Sequence, residues 1–243
     1  MKVELLTYTP DAEKIIAAAA KLCYSKVGVD DILEGLTPDK CENFIKMLMS
    51  LGHESPVEHA SFTFAIEGVS RTLLAQLTRH RIASYSVQSQ RYVDKENFEY
   101  IMPPAIAEIP EAKEIFEKAM ENDRETYNKL SGILCEKYIT NMDVKDAKKK
   151  AQEDARYVLS NACDTRIIIT MNVRSLYNFF ELRCCNRAQW EIRELACEML
   201  RLCKGVCPLL FAAAGPACVR GGCSEGAMTC GSAKEIREKF KNM

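Results

Sequence analysis

Residues 79–91 of the chain read Arg-His-Arg-Ile-Ala-Ser-Tyr-Ser-Val-Gln-Ser-Gln-Arg. The stretch holds three arginines, one histidine and three serines, and it contains no carboxylate that could neutralise the charge. A guanidinium group fits a phosphate bidentately, and serine hydroxyls and loop amides add neutral donors around an anion. The chain as a whole has a net charge of −1. This local positive charge therefore indicates a site for an anionic small molecule rather than a general nucleic-acid surface.

A solvated basic loop is the alternative interpretation of the stretch. Arg79 and Arg81 could pair with nearby glutamates or complement the negative end of a helix. The positions of Ser84 and Ser89 favour the anion site, because these hydroxyls can turn toward a phosphate held by Arg91. A duplex footprint needs basic residues spread along a face, and this cluster is too compact for one.

The composition is ordinary for a globular protein and excludes several classes. The 243 residues are 47% hydrophobic and 28% charged, and 33 basic residues stand against 34 acidic ones, so no broad nucleic-acid footprint is present. The first residues contain no apolar core of a signal peptide, and no apolar run is long enough to cross a bilayer. These features predict a cytoplasmic protein.

Hydrophobic periodicity predicts an α+β protein, with a mixed sheet and long helices in one domain over residues 1–213 and a Cys/Gly-rich tail over 214–243. Strands are predicted at 3–8, 60–69 and 166–173, the last of them central in the sheet. Helices are predicted at 10–24, 39–50, 71–80, 111–140, 144–160, 174–183 and 187–203. The arginine-rich stretch is therefore expected to begin at a helix end and continue as a loop.

A second polar group follows the strand at 166–173. Arg174 and Asn178 are four residues apart and share a helix face, with Asn172 just before them. Amide and guanidinium groups together can recognise a heteroaromatic ring edge or a pyrophosphate; surface hydrogen bonding is the alternative. Arg183, Arg187 and Trp190 are also expected on one helix face, because seven residues make two turns.

Twelve cysteines are more typical of reduced core residues or metal ligands than of disulfides in such a chain. Five of them are predicted to be small buried hydrophobes: Cys23, Cys41, Cys135, Cys163 and Cys197. The spacings Cys203-x3-Cys207 and Cys218-x4-Cys223-x6-Cys230 do not match common zinc ribbons, so metal binding by the tail stays open beside reduced thiols.

His53 and His59 flank a proline and could suggest zinc, but a hydrogen-bonded structural role is the commoner one for such a histidine, and no metal site is assigned. The chain has no dinucleotide or P-loop glycine motif and no nucleophile motif with a paired base. It offers arginines, amides and hydroxyls. Such a site positions substrates and leaves the difficult chemistry to a cofactor.

Three blocks of the chain resemble one family, the flavin-dependent thymidylate synthases. Residues 79–91 match the family signature R-H-R-x-x-S-x-(N/S)-x-x-S-x-R throughout. Residues 53–59 resemble its H-E-(S/T)-P-x-E-H turn, and residues 172–179, 182–183 and 188–191 resemble its second block. The resemblance covers roughly residues 1–213.

The resemblance implies the family fold and a homotetramer with FAD bound between subunits. It also implies conversion of dUMP to dTMP, with 5,10-methylenetetrahydrofolate as carbon donor and NADPH as reductant. The hydride comes from the flavin, so the folate product is tetrahydrofolate. No enzyme cysteine needs to attack the pyrimidine, which agrees with the absence of a cysteine–base pair here.

The resemblance also assigns residues by position. Those expected to contact FAD are Arg79, His80 and Arg81, with Ser55 on the phosphate side and Asn172, Arg174 and Asn178 around the flavin. Those expected to cradle the dUMP phosphate are Val87, Gln88, Ser89, Gln90 and Arg91, with Gln76 and Arg79 also reaching dUMP. Arg156 and Arg183 should bind the nucleotide from another subunit, and Arg183 should favour the ionised N3 of dUMP and so be the catalytic residue. His53 should lie near the flavin and folate face.

Two positions depart from many relatives. Arg187 stands where a histidine often faces the flavin, and Val87 stands where some relatives have glutamate. Two other functions remain as alternatives. One is a flavin-dependent hydroxymethylase of a pyrimidine nucleotide, and the other is a noncatalytic nucleotide- or nucleic-acid-binding module, which the balanced charge disfavours.

Overall fold

The computed structural model describes all 243 residues and has an α+β fold built on a four-stranded antiparallel sheet. Its strand order is β1-β2-β4-β3. The strands are β1 (Lys2–Tyr8), β2 (Ser61–Ser70), β3 (Ser84–Val87) and β4 (Asp164–Asn172). In β2 and β4 the buried residues alternate with more exposed ones, which is the pattern of strands that bury one face.

Twelve helices complete the fold. They are α1 (Ala12–Leu22), α2 (Val29–Gly35), α3 (Pro38–Leu51), α4 (Arg71–Leu77), α5 (Pro104–Ala107), α6 (Pro110–Tyr138), α7 (Val144–Ala155), α8 (Val173–Arg183), α9 (Trp190–Val206), α10 (Pro208–Phe211), α11 (Ala217–Arg220) and α12 (Ala233–Lys241). Short 3-10 turns lie at Pro56–His59, Arg156–Val158 and Gly226–Met228. None of the helices is both long enough and apolar enough to cross a membrane.

The chain divides into two compact units that interleave in sequence. The first unit contains residues 1–66, 76–85 and 168–243, and the second contains residues 67–75 and 86–167. Because β2 and β4 run across the division, each of these strands contributes to both units.

The core of the first unit is aromatic. Phe62 of β2, Phe180 of α8 and Phe211 of α10 are fully buried. The Phe211 ring meets Phe62 edge-on at 5.4 Å between centroids and Phe180 at 6.0 Å, an arrangement that adds to the stabilisation from burial. This packing holds α8, which carries several of the expected site residues, against the sheet.

The second unit is organised by α6 and α7, which pack together over a small core. Tyr127 of α6 is fully buried, and Phe98, Met120 and Cys163 form a buried cluster beside it. Asp143 caps the N-terminus of α7: its carboxylate accepts the N–H of Asp146 at 3.0 Å and so satisfies one of the free donors of the first turn.

The predicted α+β class is confirmed, and each predicted helix and strand occurs within a few residues of its expected bounds. Four expectations were wrong. The sheet, expected to be mixed, is antiparallel. Residues 84–87, expected in a loop, form β3 beside β4. Arg183, Arg187 and Trp190 do not share a helix, because α8 ends at Arg183 and α9 begins at Trp190. Among the cysteines predicted to be buried, Cys23 is exposed and Cys135 and Cys197 are only partly buried.

Candidate active site

A polar cavity of about 620 Å³ opens in the first unit beside the turn that follows α4. The residues that line it are Glu58, Arg79, His80, Arg81, Ile82, Met171, Asn172, Arg174, Ser175, Asn178, Leu182 and Arg183. It therefore brings together six of the seven residues expected around FAD, and Arg183 with them.

The turn at 78–82 is fixed by Tyr85 of β3. Its hydroxyl lies 2.8 Å from the carbonyl oxygen of Leu77 and 2.7 Å from that of His80, so it can donate to either and ties the end of α4 to the turn. Burial raises the pKa of Tyr85 to about 12, so the hydroxyl keeps its proton at neutral pH. The strand that the sequence missed thus holds the arginine turn in place.

Helix α8 supplies the opposite wall of the cavity. Asn172 precedes the helix, and its side-chain oxygen accepts the N–H of Ser175 at 2.8 Å. Its amide NH2 group remains available to a ligand. Arg174 is ion-paired with Glu58 and lies 3.6 Å from Glu54, so its guanidinium is oriented by two carboxylates of the 53–59 segment.

His80 and Arg183 are in direct contact inside the cavity. Arg183 Nε donates to His80 Nε2 at 3.1 Å, which requires the imidazole to be neutral at that nitrogen. Burial and the Arg183 charge lower the pKa of His80 to about 4, against a smaller opposing effect of a hydrogen bond with Asn178. His80 therefore serves as a neutral acceptor that orients the guanidinium.

The cavity has more positive charge than its own residues neutralise. Arg79, Arg81 and Arg183 form no ion pair with a carboxylate, whereas Arg174 does. Burial lowers the pKa of Arg183, and the Arg79 guanidinium lowers it further. Apolar side chains, among them Ile82, lie in the same lining. An anionic ligand with an aromatic ring fits this lining, as the expected flavin with its phosphates would.

A second arginine-rich site lies in the second unit, in the loop that follows β3. Gln88 N–H donates to the carbonyl of Arg166 at 2.9 Å, and the Ser89 hydroxyl accepts the N–H of Arg91 at 3.1 Å. The backbone N–H groups of Ser89 and Gln90 are donors in no hydrogen bond of the chain. The loop therefore presents free amides of the kind that bind phosphate oxygens.

Three arginines accompany this loop. Arg91 pairs with Glu153 at 2.8 Å, but its Nε atom is buried without a hydrogen-bond partner. Arg71 donates to Gln90 Oε1 at 3.1 Å and has no carboxylate partner. Burial lowers the pKa of Arg71, and the Arg156 guanidinium lowers it further, against an opposing effect of Cys163. The orphaned Nε of Arg91 and the Arg71 guanidinium, which has no carboxylate partner, are features that a bound dianion would stabilise.

Two residues of this site, Arg71 and Lys95, were not predicted from the sequence. Arg71 was seen only as the start of a helix, and Lys95 was not singled out at all. Lys95 is buried, and its Nζ donates to Asp164 Oδ1 at 2.9 Å and to Gln88 Oε1 at 3.1 Å. No local pattern marks either residue, because their partners are distant in sequence.

Several expected residues lie outside the cavity and the loop. Ser55 and His53 are exposed in the segment before the 3-10 turn at Pro56–His59, and Ser55 does not line the cavity. Gln76 lies at the end of α4, where its carbonyl accepts the N–H of Arg79 at 3.3 Å. Arg187 lies in the link between α8 and α9 and faces a different, cysteine-lined pocket.

Comparison with known proteins supplies an independent finding. Residues 4–209 match the family described as thymidylate synthase complementing protein. A protein of Clostridium tetani is 58% identical over 99% of this chain and 97% of its own length. Others from Geobacter sulfurreducens and Pyrococcus furiosus are 49% and 38% identical, each over 100% of this chain and 99% and 98% of its own length. All three are named flavin-dependent thymidylate synthase.

Proposed function

The chain belongs to the flavin-dependent thymidylate synthase family, and from this we propose that its two arginine-rich sites hold FAD and dUMP. The reaction is the reductive methylation of dUMP to dTMP. 5,10-Methylenetetrahydrofolate donates the carbon and leaves as tetrahydrofolate, and NADPH is the reductant. When bound and reduced by NADPH to FADH2, the flavin would supply the hydride that reduces the transferred carbon.

The cavity of the first unit is the proposed FAD site. Arg79 and Arg81 neutralise the phosphates, while Asn172 and Asn178 offer amides to the polar edge of the ring system. Arg174, fixed by Glu58, packs along the ring, and Ser55 lies toward the phosphate side. The unpaired guanidiniums of this cavity are the observation that carries the proposal.

The loop of the second unit is the proposed dUMP phosphate site. The N–H groups of Ser89 and Gln90, which have no partner in the chain, are placed to donate to phosphate oxygens, together with the orphaned Nε of Arg91. Val87 and Gln88 contribute backbone and hold the loop on β4. Gln76 and Arg79 are the proposed further contacts to the nucleotide.

Arg183 is the proposed catalytic residue. Its Nε is held by neutral His80, so the two terminal NH2 groups are free to face the pyrimidine. A guanidinium beside N3 stabilises the negative charge that develops on the ring when carbon 5 becomes nucleophilic. Positioning by His80 means that little reorientation is needed when dUMP arrives.

We further propose a homotetramer in which Arg156 and Arg183 reach a nucleotide held by the 87–91 loop of a neighbouring copy. Closed symmetric oligomers can build such shared sites at their interfaces. Residues 1–213 form the proposed catalytic domain and residues 214–243 a tail. Twelve cysteines without a disulfide suit a reducing compartment, which supports a cytoplasmic location.

Product analysis of one anaerobic reaction tests the function. The purified protein is mixed with FAD, NADPH, methylenetetrahydrofolate and dUMP, and the nucleotide and folate products are identified by mass. We expect dTMP and tetrahydrofolate. A hydroxymethylated nucleotide or dihydrofolate would contradict the proposed reaction.

Replacing one arginine tests the role of the cavity. We expect Arg183→Ala to retain FAD absorbance and to lower kcat by about 10²–10³-fold, the usual effect of removing one donor that stabilises a developing anion. The matched control is Arg201→Ala on α9, where the guanidinium pairs with Glu198 on the surface. Loss of flavin from Arg183→Ala would instead indicate that Arg183 binds the cofactor rather than the substrate.

A further inference from the structure

Four cysteines surround one small cavity at the junction of the tail and the α8–α9 link. Cys185 comes from that link, Cys218 from α11, and Cys223 and Cys230 from the loops before α12. The space between them is about 10 Å³, at the lower limit of the volume that a single water molecule needs. No step of thymidylate synthesis uses these residues.

The backbone around the cavity is arranged to hold the thiols. Arg237 of α12 donates to the carbonyl oxygens of Cys218 at 2.6 Å and Gly221 at 2.8 Å, which fixes α11 against α12. Gly231 directly follows Cys230 and has φ of 76°, a conformation that residues with a side chain rarely adopt.

We propose that Cys185, Cys218, Cys223 and Cys230 form a structural tetrathiolate site for Zn²⁺. Four thiolates in a closed tetrahedral set are characteristic of structural zinc. The cavity also has Glu225 in its lining, but four of its side chains are soft sulfur ligands, which favour zinc over magnesium and calcium, ions that prefer oxygen. Each thiol gives up its proton when it binds the ion.

The four sulfurs are not already at metal-ligand distances, because no group of three or more histidine, cysteine or acidic side chains in the chain has that arrangement. Neutral thiols attract one another weakly, so nothing in the protein alone draws them to a common point. Rotation about χ1 between staggered positions moves a cysteine sulfur without moving its backbone. The ion supplies the attraction that closes the set.

The tail needs such a link because its own core is small. Among residues 221–243 only Ile236 and Phe240 are buried. Segments of this size usually depend on metals, disulfides or packing on a larger body. Since Cys185 follows Arg183 by two residues, the ion would also fasten the end of α8 to the tail.

Metal content and thiol variants test the proposal. The full-length protein, purified without a metal-affinity tag and under reducing conditions, is analysed for metals by mass spectrometry. We expect about one zinc per chain, as for a closed structural site. The variants Cys223→Ser and Cys230→Ser should reduce the zinc to background. Both thiols are exposed, so neither change removes buried packing.

The matched control is Cys23→Ser, because Cys23 is also exposed but lies near the opposite end of the sequence from the tail. It should keep the full zinc content. Unchanged circular dichroism at 222 nm in all three variants shows that metal loss does not reflect unfolding. Replacement of zinc by cobalt(II) should give the intense visible bands of a tetrahedral thiolate complex.

Three results would overturn the assignment. One is a wild-type protein that contains no zinc as purified and takes up none from equimolar zinc after dialysis. The second is zinc that stays in both tail variants. The third is iron in place of zinc, which would make the same four thiols an iron site.

Discussion

At the scale of single residues, Lys95 shows how burial determines the contribution of an ion pair to the free energy of unfolding. Its side chain is 6% exposed and that of Asp164 is 16% exposed. We expect Lys95→Met to lower the free energy of unfolding by about 3–5 kcal/mol, because Asp164 is left without its charge partner in a poorly solvated place. The KM for dUMP should rise as well, since Gln88 loses the donor that holds it.

Urea unfolding and steady-state kinetics measure the two effects. Lys148→Met is the matched control, because Lys148 pairs with Asp94 at 2.8 Å but is 54% exposed, so its loss should cost about 0–1 kcal/mol. Equal losses of stability in the two variants would contradict the argument. The double variant Lys95→Met, Asp164→Leu should recover stability without recovering the KM.

The depressed pKa of His80 predicts a pH-dependent stability. An unfolded histidine titrates near 6.5, whereas the pKa of His80 in the fold is about 4. Between these values the unfolded chain binds a proton that the folded chain does not, so this contribution to stability is present above about pH 6.5 and is lost as the pH falls toward 4. Thermal unfolding of the flavin-free protein across this range measures the loss.

His80→Gln is the comparison variant, because glutamine can accept from Arg183 Nε but does not titrate. Its melting temperature should fall less than that of the wild type over the same pH range. Parallel curves for the two proteins would show that other groups cause the acid sensitivity.

At this scale the sequence predicted the residues whose chemistry is concentrated in short stretches. Arg79 and Arg81 lie in the cavity with Asn172 and Asn178 because a turn and a helix start present them locally. Arg71 was not predicted as a site residue, since its role depends on Gln90 and Arg156, which the chain brings near only on folding.

At the scale of secondary structure, local pattern predicted the long elements and missed the short ones. Helix α6 and strand β4 have sustained periodicity and few breakers, so their positions follow from the sequence. Strand β3 has only four residues, and it forms because it pairs with β4. Its polar serines gave no strand signal of their own. Helix α12 was missed although its sequence is amphipathic.

Asn172 has two roles, because it caps α8 and also lines the cavity. We expect Asn172→Ala to lower stability by about 1 kcal/mol through loss of the N-terminal cap and to weaken FAD retention. Asn172→Asp keeps an acceptor for the Ser175 N–H, so it should keep the stability. It should still lose flavin, because it removes the amide donor and adds negative charge near the cofactor.

Chemical denaturation and the flavin-to-protein absorbance ratio separate the two roles. Asp143→Ala is the control, since it removes the cap of α7 in the other unit and should cost similar stability while leaving flavin bound. Full flavin occupancy in Asn172→Asp would show that only the cap matters.

At the scale of the whole molecule, shared active sites predict complementation between two inactive proteins. Arg91→Ala should damage the phosphate loop and Arg183→Ala the catalytic guanidinium. If each site takes its loop from one copy and Arg183 from another, random mixed oligomers made by coexpression should regain activity in about a quarter of their sites. Activity of coexpressed and separately purified variants makes the comparison.

Coexpressed proteins that remain as inactive as the separate variants would place both residues in a site built by one chain. Two controls accompany the test: sedimentation velocity shows whether tetramers have formed, and copurification of the two variants carrying different affinity tags shows whether the oligomers are mixed. The test therefore reports on assembly and on site architecture separately.

The interleaving of the two units also has a consequence for synthesis on the ribosome. All residues of the second unit have been translated when residue 167 is added, whereas the first unit still lacks residues 168–243, which carry α8, α9 and the buried Phe211. Domains fold as units during translation, and synthesis proceeds at about 5–20 residues per second. For several seconds, then, the nascent chain contains every residue of the second unit, while Phe62 and its neighbours on β2 lack the residues that bury them. We expect chaperones that bind apolar strands to associate with the chain in that interval.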